Sequence, residues 1–371
     1  MSATGVPSPL VSFVVPCYKH GHFLEECVRS ILAQTYTTFE ILVMDDCSPD
    51  DTPAVAQSFG DPRVRHVRNE QNLGHLRNYN KGIGLARGKY VWLINVDDYL
   101  LRPYVLERFV AALETHPSAS FVICPAIQTY DGVEGPACGS HGTVDAVFAG
   151  SEFLKRLVIR NQVATPSAMV RKASYDRMGL FELDLPYAGD WFQWCRHALF
   201  GDVAYLAEPM VCYRYHDLNM SKSHREQRLP VIADEVEVRW RTKNTAERLG
   251  RATVVRDAID AIAVDYGNRV AQSMAGQPEF GMTFAEFEGS LHAHCDDAAV
   301  RRRITGTVLA SVGDHFYHQG DLKLARHYYV RALRMNPRDP RTWLKSSLLA
   351  TGTIGRSLRA TLTSRRQCPA E

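Results

Sequence analysis

The alternation between residues 11 and about 130 constrains this chain more than any other feature. Short β-branched and apolar runs are separated there by stretches of helical period. VSFVV (11–15), EILVMD (40–45), RVRHV (63–67), YVWLIN (90–95) and SFVIC (120–124) read as strands. Between the first two, Phe23, Leu24, Cys27, Val28, Ile31 and Leu32 fall at the spacing of one helix face. Strands that are apolar throughout leave no face for water, so helices must cover both sides of a parallel sheet. An α/β layer of this kind collects its ligands at the carboxyl ends of its strands.

Those ends are polar. The first strand runs into PCY (16–18), the second into DDCSPDDT (45–52), and the fourth into NVDDYL (95–100), where Asp97 and Asp98 stand side by side. A single polar strand end is commonly a loop, but three on one edge bring their side chains together as a site.

At 371 residues the chain exceeds one ordinary domain, and its pattern changes along its length. Residues 151–220 read as mixed: a helix from Ser151, a strand near SAMV (167–170), a helix DWFQWCRHALF (190–200), then strands VAYLAE and VCYRY. Beyond Leu229 long helical periods take over, so the expected division is 10–225 for the α/β domain and 226–371 for a helical region. Within the latter, at about 306–339, Leu309, Gly313, Phe316, Gly320, Ala325, Tyr329, Ala332 and Pro337 occupy the spacing of one tetratricopeptide repeat, and Trp343 falls where the next would begin. One repeat cannot bury its own face, so it is expected to pack on the preceding helices as a cap or a docking surface for a protein partner.

Charge nearly balances at +2, which gives no reason to expect a nucleic acid partner. The basic clusters Arg301–Arg303 and Arg356, Arg359, Arg365 and Arg366 read as solvated faces. Nine cysteines are scattered without a CxxC pair, and Cys17, Cys124 and Cys212 lie in apolar runs, as reduced core residues do. No apolar run reaches the roughly 20 residues of a membrane span, and the first residues lack a basic leader. The expected setting is the cytoplasm, with peripheral attachment at the inner membrane face compatible with it.

Five ordered segments resemble the family 2 glycosyltransferases of the GT-A fold: VSFVVPCYKHGHFLEECVRSILAQTY, FEILVMDDCSPDDT, NEQNLGHLRNYNKGIGLARGKYVWLINVDD, YAGDWFQWCRHAL and YRYHDLNMSKS. The likeness covers about residues 10–220. It implies a mostly parallel sheet flanked by helices, and inverting transfer of a sugar from a nucleotide diphosphosugar to a glycan, lipid-linked or protein acceptor. Acceptor choice is expected to reside in residues 125–165 and in the helical region.

The resemblance assigns roles residue by residue. Asp46 matches the carboxylate that binds the nucleotide base, with Pro16 and Tyr18 shaping its pocket; a carboxylate accepts from an N–H such as uracil N3, favouring a UDP- or dTDP-linked donor. Asn72, Gly74, Arg77 and Asn78 match the donor-side loop. NVDD matches the metal-binding DxD region, with Asp98 as the expected ligand of Mn²⁺ or Mg²⁺, His216 completing the coordination and Asp97 facing the donor sugar. Asn95 departs from the aspartate usual there, which bears on the cation's affinity. Asp190 matches the general base, and Trp191 and Trp194 after it suit either a sugar ring or the core.

Two other readings are open. A catalytically degenerate scaffold acting through the repeat is favoured only by Asn95. A dehydrogenase would need GxGxxG after the first strand, where PCYKHGHF stands, and a nucleotidyltransferase would need a glycine-rich basic loop there.

Overall fold

The structure, a computed structural model, describes residues 10–130, 132–217, 219, 228–276 and 281–350. The Arg356–Arg366 cluster, Leu218 and Met220–Ser223 of the last motif lie outside the described residues.

The alternation folds as expected through β1 (Val11–Cys17), α1 (Gly21–Leu32), β2 (Phe39–Asp45), α2 (Thr52–Ser58), β3 (Val64–Arg68), α3 (His75–Leu85) and β4 (Tyr90–Leu93). β1 pairs in parallel with β2 and β4, and β2 with β3. Every residue of β1, β2 and β4 is buried, the reason their sequences never alternate. Even their polar members are satisfied: Ser12 Oγ donates to Glu40 Oε1 at 2.6 Å, and Arg87 closes on Glu40 from the backbone and the guanidinium. Gly88 lies so close to β1 that a Cβ there would meet Ser12 N at 2.7 Å.

Next come β5 (Tyr99–Leu100), α4 (Val105–Thr115), β6 (Ala119–Ile123), β7 (Ala126–Tyr130), β8 (Val133–Cys138), β9 (Ala146–Phe148), α5 (Gly150–Leu157), β10 (Ala168–Arg171), α6 (Lys172–Met178), α7 (Gly189–Phe200), β11 (Asp202–Tyr205) and β12 (Val211–Tyr215). Among the described residues the main sheet has eight strands in the order β3-β2-β1-β4-β10-β6-β11-β9. β10 inserts antiparallel between β4 and β6, and β9 closes the edge antiparallel, so the sheet is parallel in its first half and mixed beyond. Among the described residues a second sheet, β5-β12-β7-β8, sits outside the sequence expectation: β12 reads as a strand, but β7 and β8 alternate weakly and are partly exposed, which gives no strand signal.

The chain divides into two compact units, Met1–Val254 and Val255–Glu371, and the boundary differs from the expected 225. The reason is α8 (Arg228–Arg248), whose Arg239 donates to the carbonyls of Val158 and Ile159 and lies 4.8 Å over the Trp191 ring. Its Arg241 pairs with Glu182 and Asp184. A helical sequence period alone does not say which body a helix packs on.

In the second unit α9 (Ala252–Met274), α10 (Phe284–His294), α11 (Ala298–His318), α12 (Leu322–Met335) and α13 (Pro340–Ala350) follow one another. α11 and α12 form a hairpin with Tyr329 fully buried against Gly313, where a Cβ would come within 2.7 Å of its ring. Arg302, read as part of a solvated cluster, donates to the terminal carbonyls of α12 at Arg334 and Met335. Among the described residues no helix is long and apolar enough to cross a membrane.

Candidate active site

The carboxyl edge of the parallel strands opens on a cavity of about 550 Å³ whose lining includes Pro16, Tyr18, Asp46, Asn72, Asp97 and Asp190. Residues from all three polar strand ends therefore meet, together with the start of α7.

At the end of β2 two adjacent aspartates part company. Asp45 is fully buried, ties β2 to β3 through Arg68 at 2.5 Å and His66 at 3.1 Å, and accepts from the Ser48 N–H of its own turn at 2.8 Å. Burial raises its pKa, but those hydrogen bonds outweigh it and hold the carboxyl below its ordinary value. Asp46 faces the cavity. Its Oδ1 accepts from Asn69 Nδ2 at 2.7 Å and Leu73 N at 2.8 Å, and its Oδ2 from Gly74 N at 3.0 Å. The carboxylate thus shapes the 69–74 loop, and Gly74 at φ +81° is the turn that lets the N–H point inward. Asn72 lines the same wall, donating to the Asp46 carbonyl at 3.3 Å. Two non-glycine residues with left-handed backbone, Lys19 (φ 62°) and Cys47 (φ 61°), sit beside it, joined through Lys19 N donating to Ser48 Oγ at 3.2 Å. Strained backbone gathers where the surrounding structure has a use for it.

After β4 the two carboxylates of NVDD again diverge, opposite to expectation. Asp98, expected to hold a cation, is 1% exposed; Oδ1 accepts from Arg214 N at 3.0 Å and Oδ2 from Asn95 Nδ2 at 3.4 Å. Burial first, and the Asp97 charge second, push its carboxyl well above the usual range. Asp97 is the one that lines the cavity, and its Oδ2 meets His216 Nε2 at 3.1 Å and Asn219 Nδ2 at 3.3 Å. A turn of one residue reverses which side chain faces inward, so adjacency in sequence cannot choose between them. Asn95 lines the cavity as well and accepts from the Tyr79 hydroxyl at 3.2 Å.

Asp190 stands in the first turn of α7. The N-cap of α7 is Ala188, whose side chain can accept no hydrogen bond. Asp190 Oδ2 accepts from Asn161 Nδ2 at 3.0 Å and Thr165 Oγ1 at 3.3 Å, and Oδ1 from Trp191 N at 2.6 Å. Burial raises its pKa against those three donors. The entry to α7 is fixed from α8: Asp234 Oδ2 accepts from Tyr187 N at 2.7 Å and Ala188 N at 3.3 Å. Trp191 and Trp194 are both core, at 3% and 0% exposed, so neither offers a face to a sugar.

Arg77 is exposed and does not line the cavity, because α3 turns it to the outer side. Several lining residues carried no sequence signal of their own: His20, His75, Tyr79, Tyr187 and Tyr213. His20, in the KHGH that follows the first strand, lies among aromatic neighbours. Its ring lies 5.4 Å from His216, its Nδ1 is buried with no partner among the described residues, and burial lowers its pKa.

Asp97 and His216 present adjacent oxygen and nitrogen donors, a set that suits Mn²⁺ or Mg²⁺ when a ligand supplies the rest. Among the described residues no three His, Cys, Asp or Glu side chains gather as a closed cation site.

A mixed α/β sheet with its cavity at the strands' carboxyl edge, lined by carboxylates from separate strand ends and a helix start, has the architecture of an α/β nucleotide-binding fold. Residues 12–175 match the model of glycosyl transferase family 2. The chain is 31% identical over 227 residues to an uncharacterized Mycobacterium tuberculosis protein, covering 58% of this chain and 67% of that one. It is 24% identical over 278 residues to an uncharacterized glycosyltransferase of Haemophilus influenzae, covering 72% and 84%. In fold it is similar to TarS 1-349 of S. aureus, solved in complex with UDP-GlcNAc, with TM-score 0.54, 16% identity, and 95% and 92% of the two chains covered. Residues 12–175 are thus a glycosyl transferase family 2 domain.

Proposed function

We propose that the chain is an inverting glycosyltransferase of bacterial surface glycan synthesis. It moves a sugar from a UDP- or dTDP-linked donor to a hydroxyl of a glycan, lipid-linked or protein acceptor, assisted by Mn²⁺ or Mg²⁺. The observation that carries this reading is that Asp46, Asp97 and Asp190 line one cavity while their immediate neighbours, Asp45, Asp98 and Trp191, are spent on structure.

Each carboxylate oxygen accepts two hydrogen bonds, and among the described residues Asp46 Oδ2 receives one, from Gly74. A lone pair is left for a pyrimidine N–H. Asp97 and His216 are the residues that would hold the cation, which when bound would offset negative charge on the departing nucleoside diphosphate. Asp190 takes the proton of the acceptor hydroxyl as that oxygen bonds the anomeric carbon from the face opposite the leaving phosphate oxygen. The carbon–oxygen bond to the diphosphate breaks with its electron pair, and configuration inverts without a covalent intermediate. Asn161 and Thr165 fix the orientation of Asp190, while its burial strengthens it as a base. The α11–α12 hairpin, with Gly313 against Tyr329, supports a tetratricopeptide-like role as cap or docking surface.

A thermal-shift screen of UDP, dTDP, GDP and ADP with and without Mn²⁺ tests the donor half; a nucleotide at 100 times its Kd adds about 2.7 kcal/mol to stability. A larger shift with UDP or dTDP, increased by Mn²⁺, is expected; a purine preference or no shift at all contradicts the reading. The anomeric configuration of the product tests the mechanism.

A further inference from the structure

The second sheet carries a row of tyrosines that begins inside the cavity and leaves it. Tyr213 lines the cavity beside Asp97 and Asp190. Two residues on, and therefore on the same face of β12, Tyr215 meets Tyr213 edge to face with ring centroids 4.9 Å apart. β7 lies parallel to β12 and sets Tyr130 in register with Tyr215 and Gln128 with Tyr213. The Tyr130 and Tyr215 rings stack at 4.8 Å and 7°.

The Gln128 amide knits the row together: its Oε1 accepts from the Tyr130 hydroxyl at 3.2 Å and its Nε2 donates to the Tyr215 hydroxyl at 3.4 Å. The neighbouring strand β8 offers Gly135 beneath the Tyr130 ring, where a Cβ would come within 3.2 Å. The opposite face of the same strands holds Cys212 and Thr129, both buried, so the tyrosines occupy the outer side.

Cross-strand aromatic pairs stabilise sheets, and that alone would account for a stacked pair in a buried position. Tyr130 is 46% exposed. A half-exposed ring, clamped in orientation by an amide and continuous with a catalytic cavity, is a surface prepared for a flat, weakly polar ligand with hydroxyl groups. A pyranose fits that description: its C–H face stacks on an aromatic ring and its hydroxyls take hydrogen bonds from phenol and amide. We infer that Tyr213, Tyr215, Tyr130 and Gln128 form an acceptor subsite that holds sugar units of an oligosaccharide beyond the one receiving the transfer. This rests on the glycosyltransferase reading and narrows its acceptor from any hydroxyl to a glycan chain longer than one unit.

The test uses the full chain, with immobilised linear hexasaccharides of glucose, galactose, mannose and N-acetylglucosamine as probes and their monosaccharides as controls. Wild type is expected to bind at least one hexasaccharide and none of the monosaccharides measurably. Tyr130→Ala is expected to weaken that binding by about tenfold, on the scale of one lost aromatic contact. Tyr130→Phe, which keeps the ring, is expected to retain most of it, and this controls for a merely destabilised sheet. The UDP thermal shift should be the same in all three proteins. Hexasaccharide binding unaltered in Tyr130→Ala, or no hexasaccharide bound by wild type, overturns the subsite. Absence of any nucleotide shift in wild type instead removes the glycosyltransferase reading beneath it, so the two failures are distinguishable.

Discussion

The carboxylate of Asp97 and the imidazole of His216, 119 residues apart in sequence, meet at 3.1 Å. Asp98, one residue on, turns away to accept the Arg214 N–H of β12 and so holds the strand that delivers His216. The pair and its support are separable by mutation. Asp97→Ala should remove the Mn²⁺-dependent part of UDP binding with little change in melting temperature. Asp98→Asn should lower the melting temperature while a Mn²⁺-dependent shift persists. Equal metal responses in the two variants would return the ligand role to Asp98.

Asp190→Asn keeps the shape of the α7 entry and removes the carboxylate proposed as the base. Transfer should fall about 10²–10⁴-fold, the usual scale of general base catalysis, with UDP binding retained. The pH profile carries the same information with a definite sign. Burial raises the Asp190 pKa above its ordinary 3.8, and the base acts only when ionised. Activity should therefore fall as pH drops through that raised value, and an acid limb below 3.8 would exclude Asp190 as the base.

Asn95 donates to Asp98 Oδ2 and accepts from Tyr79, a role that an aspartate fills poorly because it sets a second carboxylate against a buried one. Asn95→Asp should cost about 1–3 kcal/mol without cation, measured by urea denaturation. Mn²⁺ with UDP should recover part of that loss; an unchanged midpoint would show that the amide bridge contributes nothing.

Asp234 lies 44 residues beyond Asp190 in the chain, yet it accepts the two backbone N–H groups that lead into α7. Asp234→Ala leaves those donors short of an acceptor and should cost about 1–3 kcal/mol. Turnover should drop more than nucleotide binding does, since the base shifts and Asp46 does not. Loss of both in proportion would point to general unfolding.

In the second unit, Gly313→Ala places a methyl group 2.7 Å from the Tyr329 ring, which is fully buried and has nowhere to retreat. Overpacking of this kind costs about 1–3 kcal/mol. Calorimetry should show a lowered transition, with the UDP shift unaffected.

The sequence by itself determined the parallel half of the sheet, the edge on which the site forms, and the residue types that meet there. Unbroken apolar strands admit one burial, and polar residues at their ends have one place to go. Asp46 stands at such a strand end, whereas Asp190 is singled out only by the resemblance to family 2 glycosyltransferases; both line the cavity. What tertiary structure decided was orientation and company. Asp97 rather than Asp98 faces the cavity because the turn after β4 points adjacent side chains to opposite sides. Trp191 and Trp194 both go inward because α7 is covered by α5 and α8. The tyrosines of β7 and β12 form a row only through a strand pairing that their sequences do not announce, since register between distant strands is fixed by packing across the whole sheet.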